Sequence, residues 1–351
     1  MKKLKTKSKL GKTSLFTPPI IFGTSCLGNL YGALEENIKL SIMSEWFEWV
    51  EPPVVIDTAG KYGAGLALEV IGKGFKKLGV QPDQILISNK LGWFRTELKT
   101  PEPLFEPGIW VDLKHDAIQK INYKGILECW EQGCELLGGD YKTEIVSVHD
   151  PDEYLSEATT EKDRQKRFID ILSAYEALEE LKGKDEVGAI GVGAKDWRVI
   201  QKLTEHVNLD WVMFAVSFTV MSHPQELLDL IKDLTQKNVA IINSAVFHAG
   251  FLTGGNFFDY RRIDPASPDD KELFEWRDKF YKTCNEFQVK PAEACVQFGM
   301  SPPGVISIAL NTSKPERVRQ NAELVQAEMP EEFWVTMKKE GLIDRNYPFV
   351  G

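Results

Sequence analysis

Four side chains able to move protons or carry charge stand directly behind short apolar runs. Asp57 closes the run PVVID, Lys90 closes QILISNK and His149 closes EIVSVH, while Tyr62 follows Asp57 within the glycine-rich turn GKYGAG. A lysine or an aspartate alone at the end of an apolar run is costly to desolvate, so each needs an opposite charge nearby. An Asp57–Lys90 ion pair beside a tyrosine hydroxyl favours the phenolate and is expected to draw Tyr62 from its ordinary pKa of about 10 towards working pH. That would make Tyr62 a general acid/base, with His149, as a neutral imidazole, hydrogen-bonding a substrate oxygen and orienting it. Taken singly, each residue has a plainer use: Asp57 fixing a turn, Lys90 reaching to solvent, Tyr62 packing. Their coincidence at successive run ends favours chemistry.

The elements that must position them are legible as eight apolar, β-branched runs: PIIFG near 19, PVVID near 53, QILISN near 84, EIVSVH near 144, VGAIGV near 187, DWVMFAVS near 210, VAIINS near 239 and GVISIAL near 304. Most predict strands buried on both faces. Between them lie segments of helical periodicity, among them ALEENIKLSIMSEWFEWV, LALEVIGKGFKKLG, KGILECWEQGCELLG, FIDILSAYEALEELKG, PQELLDLIKDLTQK and PERVRQNAELVQA. Alternation of the two implies a parallel sheet covered by helices, and eight units match a closed barrel better than an open sheet. The expected fold is α/β, a single-domain (β/α)8 TIM barrel over residues 1–351, with longer loops at 93–123, 151–166 and 251–271. In such barrels the active site lies at the carboxyl ends of the strands, where the four residues fall. A doubly wound dinucleotide fold would carry G-x-G-x-x-G behind its first strand; FGTSCLGNLYG lacks that spacing and GAIGVGAKDW has its glycines in the wrong order.

The 42 basic against 52 acidic residues leave a net charge of −10, which argues against a nucleic-acid partner. The one basic run, MKKLKTKSKLGKTS, reads as a solvated tail leading into the first strand. It lacks the apolar stretch of a signal peptide, and no window reaches the roughly 18 apolar residues that span a bilayer, so a soluble, cytoplasmic protein with no membrane partner is expected. Five cysteines without a C-x-x-C pair predict reduced thiols. HDPDE offers His149, Asp150, Asp152 and Glu153 to a metal, yet the other histidines form no familiar ligand set, and no metal is expected. A glycosidase would need a second carboxylate across the mouth, and INSAVFH supplies none.

The order D-T-A-x-x-Y-G, S-x-K and V-H at successive strand ends resembles the aldo-keto reductase tetrad, matched by Asp57, Tyr62, Lys90 and His149. The likeness extends over almost the whole chain, through ALEELKGKDEVGAIGVG, TSKPERVRQN and GLIDRNYP. LGNLYGAL, DTAGKYGAGLALEVIG, VHDPDEY, FTVM and AVFHAGFL resemble the branch that includes L-fucose and D-threo-aldose 1-dehydrogenases and pyridoxal 4-dehydrogenase. The resemblance implies hydride transfer between a substrate carbon and NADP or NAD, with NADP ahead, on a small sugar or aldehyde, in a monomer or small homo-oligomer. It implies oxidation of an aldose at C1 to the lactone or the reverse carbonyl reduction, with general aldehyde or ketone reduction and pyridoxal oxidation as alternatives.

LNTSKPERVRQNAEL places small hydroxyl residues and Pro315 where a helix begins, so its free N–H groups and dipole can hold an anion beside Lys314 and Arg317. The family pattern for the adenosine 2′-phosphate is similar to the sequence here at Thr312, Arg317 and Asn321, with Gln320 an adenine contact. Asn311 stands where the family often has lysine, which keeps NAD open. Thr24 and Ser25, with Asp57, match positions near the cofactor, and Phe247 is the candidate stacking aromatic. Gly193 and Ala194 stand where relatives carry Ser-Asn, and Ala215 where they carry Gln. Those departures motivate one non-enzyme reading, a nicotinamide-binding sensor or regulatory protein. Trp93 and Phe94 are the candidate substrate contacts, with Trp110 and Trp197 expected on the same face and Cys26 approaching it as an inert buried thiol.

Overall fold

The computed structural model describes residues 3–259 and 261–351. Eight strands follow the eight apolar runs: β1 Ile20–Gly23, β2 Val54–Ala59, β3 Ile85–Leu91, β4 Ile145–His149, β5 Ala189–Ala194, β6 Trp211–Ala215, β7 Ala240–Ser244 and β8 Val305–Leu310. All pair in parallel with their sequence neighbours, and β8 pairs with β1, so the sheet closes into a barrel. β2, β3, β4 and β5 are buried along their whole length, as the unbroken apolar runs require.

Eleven helices cover the described residues: α1 Glu36–Trp49, α2 Leu66–Leu78, α3 Tyr123–Leu136, α4 Pro151–Ser156, α5 Glu161–Gly183, α6 Trp197–Leu203, α7 Gln225–Gln236, α8 Lys271–Glu286, α9 Pro291–Gly299, α10 Glu316–Leu324 and α11 Glu331–Lys339. α2 shows why these segments are helical. Leu68, Ile71 and Phe75 recur at three- and four-residue spacing on its buried face, and Gly79 ends it in the left-handed conformation at φ +68°. α3 and α5 start on side-chain caps, Asn122 accepting from Gly125 N at 2.9 Å and Thr160 from Asp163 N at 3.1 Å. The six helical segments expected from periodicity are all present, although α5 begins at Glu161, inside the stretch expected as loop.

The barrel interior and the layer between barrel and helices form two apolar cores. Trp211 fills the lower interior because Gly191 yields to it: a Cβ at Gly191 would lie 2.2 Å from the indole. The basic N-terminal run departs from a solvated tail. Ser8–Lys9 pairs antiparallel with Phe16–Thr17, and Leu10 is fully buried against the interior core, so this hairpin plugs the lower end of the barrel; residues 1 and 2 lie outside the described residues. No helix among the described residues is long and apolar enough to cross a membrane.

At the upper end, the loop after β3 is not featureless. Trp93–Glu97 and His115–Gln119 form an antiparallel ribbon. Its tip is stitched to the loop after β1: Tyr31 N donates to Ile109 O at 2.9 Å and Val111 N to Asn29 O at 3.1 Å. The loop after β7 carries a short hairpin, Phe257–Phe258 with Arg261–Arg262.

Candidate active site

Register brings the four expected residues to one mouth. Asp57 of β2 is paired with Ser88 of β3, Lys90 of β3 with Ser147 of β4, and His149 of β4 with Gly193 of β5. Residues two apart on a strand share a face, so Ser88 and Lys90 point into the barrel together. Lys90 Nζ donates to Asp57 Oδ2, and Ser88 Oγ donates to Asp57 Oδ1 at 3.2 Å. Asp57, Lys90 and His149 are all buried. Tyr62 is delivered by the turn after β2, where Gly28 and Gly63 touch backbone to backbone: a Cβ on Gly63, at φ +63°, would sit 2.3 Å from Gly28 O. That contact clamps the loop after β1 onto the Tyr62 turn and explains the glycines at 28 and 63. Lys90 Nζ lies 4.9 Å from the Tyr62 ring centroid, and the His149 ring meets Tyr62 edge-on at 5.8 Å.

The electrostatics correct one expectation. Burial is the largest influence on Tyr62 and outweighs the opposing Lys90 ammonium, so its pKa lies above the ordinary phenol value rather than below it. Asp57 also pushes it up, because its charge partly cancels that of Lys90. His149 is held well below its usual range by burial and by Lys61, Lys90 and Lys195, which leaves a neutral imidazole. Lys90 is raised despite burial, because Asp57 and Tyr62 favour its charged form.

A pH dependence follows with a definite sign. A step that needs the phenolate gains as pH climbs towards the raised pKa, whereas a step that uses the phenol as proton donor has its active form throughout neutral pH. Substrate oxidation is therefore expected to accelerate between about pH 8 and pH 10, while carbonyl reduction does not. Initial rates in both directions across that window check this; parallel profiles would contradict it.

The rim between β8 and β1 gathers the residues expected at a dinucleotide. Thr24 Oγ1 donates to Asp57 O at 2.9 Å, fastening β1 to β2, and Ser25 Oγ accepts from Asn311 Nδ2 at 2.7 Å. Thr312 Oγ1 accepts from Lys314 N at 3.1 Å just before α10. Arg317, Gln320 and Asn321 follow at three- and four-residue spacing along one side of α10. Lys314 and Arg317 are exposed, and neither has a carboxylate partner among the described residues, whereas Arg319 pairs with Glu323 at 2.8 Å. Unpaired cations at a helix start suit a phosphate. Cys26 donates to Thr312 O at 3.0 Å and its buried thiol is pushed up to about 12, an inert group.

The β5 and β6 ends differ from one another. A Cβ on Gly193 would make ordinary contacts, 3.8 Å from Lys90 Cδ and 3.7 Å from Met213 Cβ, while Ala194 is buried. β6 passes through Ala215 into Val216, a β-branched residue in the left-handed region at φ +57°, and Ser217 Oγ beside it is buried without a partner. Phe247 sits in a tight turn after β7. The neighbouring His248 anchors that turn through Thr219 and Asp259, each at 2.7 Å.

The aromatic residues sort by face. Trp110 lies against Tyr62 at 5.8 Å between ring centroids, and Trp93 against Phe105 at 5.8 Å, so both line the mouth cluster. Phe94 alternates to the opposite face of the ribbon, with Lys120 Nζ 3.9 Å from its ring, and is not brought to the tetrad. Trp197 opens α6 and is buried in the outer core. Sequence reasoning passed over Lys61, the neighbour of Tyr62, and read Asp150, Asp152 and Glu153 only as metal candidates. Lys61 instead pairs with Glu106 at 2.8 Å and Glu153 at 3.2 Å, while Asp152 Oδ2 accepts from Lys195 N and Asp196 N. The clue available was a lysine beside a tyrosine at a strand end, facing an acidic HDPDE loop.

A closed parallel barrel thus carries a buried carboxylate, amine and imidazole around a phenol at the end where barrel enzymes hold their active sites. Residues 19–340 match the sequence profile of the Aldo/keto reductase family, and the chain belongs to that family of oxidoreductases. It is 25% identical to the pyridoxal 4-dehydrogenase of Microbacterium luteolum over 97% of this chain and 99% of that one. It is 24% identical to the D-threo-aldose 1-dehydrogenase of a Pseudomonas species over 96% and 98%, and 22% identical to the L-galactose dehydrogenase of Arabidopsis thaliana over 90% and 86%. Among solved structures, the holo form of an aldo-keto reductase from Bacillus halodurans superposes with a TM-score of 0.69 at 19% identity, covering 97% of this chain and 96% of that one. A glycerol dehydrogenase from Gluconobacter oxydans gives 0.68 at 14%, with the same coverage.

Proposed function

We propose that this protein is an NAD(P)-dependent dehydrogenase that oxidises an aldose, such as L-fucose or a D-threo-aldose, at C1 to the lactone, or catalyses the reverse reduction. The observation that carries the reading is the buried Asp57–Lys90 pair beside Tyr62 with His149 edge-on to the same phenol. In oxidation, ionised Tyr62 takes the proton of the anomeric hydroxyl; in reduction, the phenol returns it to the carbonyl oxygen. Lys90 stabilises the phenolate and Asp57 fixes Lys90, while neutral His149 donates a hydrogen bond to the reacting oxygen and sets its angle. A bound nicotinamide supplies the hydride acceptor or donor. Thr24, Ser25, Asp57, Gly193 and Phe247 would flank it, and Thr312, Lys314, Arg317, Gln320 and Asn321 would hold its adenosine end. The buried, unpartnered Ser217 hydroxyl, two residues past Ala215, would offer the nicotinamide a polar partner that Ala215 lacks.

Trp110 against Tyr62 favours a second reading, oxidation of a flat ring-bearing alcohol of the pyridoxal kind, because an aromatic face beside the phenol suits a ring. A panel of L-fucose, D-arabinose, L-galactose, pyridoxal and simple aldehydes, each with NAD and NADP and followed by nicotinamide absorbance, separates the readings. Turnover of an aldose supports the first. Tight cofactor binding with no turnover of any compound would refute both and favour the sensor.

Arg317→Ala is expected to weaken NADP about tenfold or more, the cost of one lost charge-assisted bond, and to leave NAD nearly unchanged. Cofactor titration by protein fluorescence measures both. Equal losses would show that Arg317 does not meet the 2′-phosphate.

A further inference from the structure

Four side chains, Asp150, Lys61, Glu106 and Trp110, close a ring that runs through the Tyr62–His149 pair. His149 Nε2 stands 3.4 Å from Asp150 Oδ2, and that oxygen is 3.8 Å from Lys61 Nζ. Lys61 Nζ is 2.8 Å from Glu106 Oε1, and Glu106 Oε2 accepts from Trp110 Nε1 at 2.7 Å. Trp110 then lies against Tyr62, which meets His149 edge-on. The proposed reaction uses Tyr62 and His149 but gives Lys61 and Asp150 no part, although Lys61 is only 6% exposed and Asp150 takes a left-handed backbone at φ +44°. Burying charge this close to a reaction centre is costly unless the pairing is well made.

A neutral imidazole carries its hydrogen on one nitrogen, and its partners decide which. His149 Nδ1 is buried with no partner, so nothing on that side fixes the tautomer. On the other side an ionised Asp150 can only accept, and its negative charge favours the tautomer with the hydrogen on Nε2. At 3.4 Å the contact exceeds the roughly 3.2 Å limit of a well-made N–H···O bond, so this hydrogen stays available to a substrate oxygen. Protonated Asp150 reverses the arrangement: its O–H donates to Nε2, the ring hydrogen shifts to Nδ1, and the substrate loses its donor.

The geometry points to Lys61 and Asp150 as a positioning pair for the proposed reaction: Lys61 keeps Asp150 ionised, and ionised Asp150 keeps the His149 hydrogen on Nε2. The groups facing Asp150 are His149, Asp152 and Glu153 from its own segment, Lys61 from the loop after β2, and Lys195 from the end of β5. Glu106 acts on it through Lys61, and Lys90 and Tyr62 through His149. Burial, reinforced by Glu153, pushes Asp150 up to about 7 against the pull of Lys61 and Lys195, which puts its charge in play at neutral pH. Removing the Lys61 charge pushes it further up.

The pair rests on the carbonyl chemistry proposed above, and nitrogen-15 NMR of the histidine side chains tests it without turnover, with His149→Gln as the assignment control. The native protein is expected to hold the Nε2–H tautomer of His149 above about pH 8 and to lose it towards about pH 6. In Lys61→Met the midpoint moves up by about one pH unit or more, in Lys61→Arg it returns, and in Asp150→Asn the step disappears. Carbonyl reduction should follow the same steps in kcat, with Lys61→Met at least about fivefold slower at pH 7 and recovering above pH 9. An unmoved midpoint, a uniform loss at every pH, or a step that persists in Asp150→Asn overturns the proposal. A tautomer step that behaves as expected in a protein with no turnover would keep the pair and sink the proposed reaction instead.

Discussion

Tyr62→Phe is expected to lower turnover by about 10²–10⁴-fold while cofactor affinity changes little, because the substitution deletes the proton carrier and keeps the ring. The ring itself packs against Trp110 and His149, so phenylalanine preserves the wall of the mouth. Lys90 would still pair with Asp57 beneath it, and the buried charges would stay balanced. A loss confined to kcat, with unchanged cofactor titration and unchanged thermal stability, is the expected pattern. Turnover within a few-fold of the native enzyme on a proven substrate would contradict the assignment of Tyr62 as acid/base.

The second large effect is on stability. Lys90→Met strands Asp57, which is only 4% exposed and keeps a single remaining side-chain donor, Ser88 Oγ. Removing one member of a buried ion pair costs about 3–5 kcal/mol, since the remaining charge loses its partner and gains no water. Denaturant unfolding of Lys90→Met is expected to show a loss of that size. The double variant Asp57→Leu, Lys90→Met should recover most of it, because no unpaired charge is left, yet remain inactive, because nothing then stabilises the phenolate. A Lys90→Met loss under about 1 kcal/mol would mean that water reaches the pair. That would also remove the reason for Tyr62 to respond to it.

The parts of the fold that were legible in the sequence are those dictated locally. Strands buried on both faces read as unbroken apolar runs, and all eight runs became barrel strands. The helices left unnamed are of two kinds. α4 and α6, six and seven residues long, are too short for a period to show, while α8 and α9, behind the long loop after β7, and α11, beyond the last strand–helix unit, are longer helices not among the periodic segments singled out. The ribbon after β3 escaped because Trp93, Phe94 and Ile118 look like a loop rich in aromatic and apolar residues until the two arms are paired. The hairpin below the barrel escaped because the lysines of the N-terminal run surround the few apolar residues, Leu10 and Leu15, that reach the interior core.

The convergence of Asp57, Tyr62, Lys90 and His149 was legible because strand ends in a barrel converge whatever the loops do. Their surroundings were not. Lys61 meets Glu106 and Glu153, carried by the ribbon tip and by α4, and no spacing rule joins such remote positions. The sign of the Tyr62 shift was also out of reach of the sequence, since it depends on how completely the phenol is enclosed, and enclosure here outweighs the neighbouring ammonium. The same distinction separates Trp93 from Phe94: adjacent in sequence, they face opposite sides of the ribbon, and only Trp93 belongs to the mouth.

The most direct test of the central claim follows the hydrogen itself. An aldose that proves to be a substrate, carrying deuterium on its anomeric carbon, is oxidised with NADP or NAD, and the reduced nicotinamide is recovered and weighed by mass spectrometry. Direct transfer predicts one deuterium on the nicotinamide ring per lactone formed, with the hydroxyl proton alone exchanging into water. Deuterium found in the solvent, with an unlabelled cofactor, would contradict it.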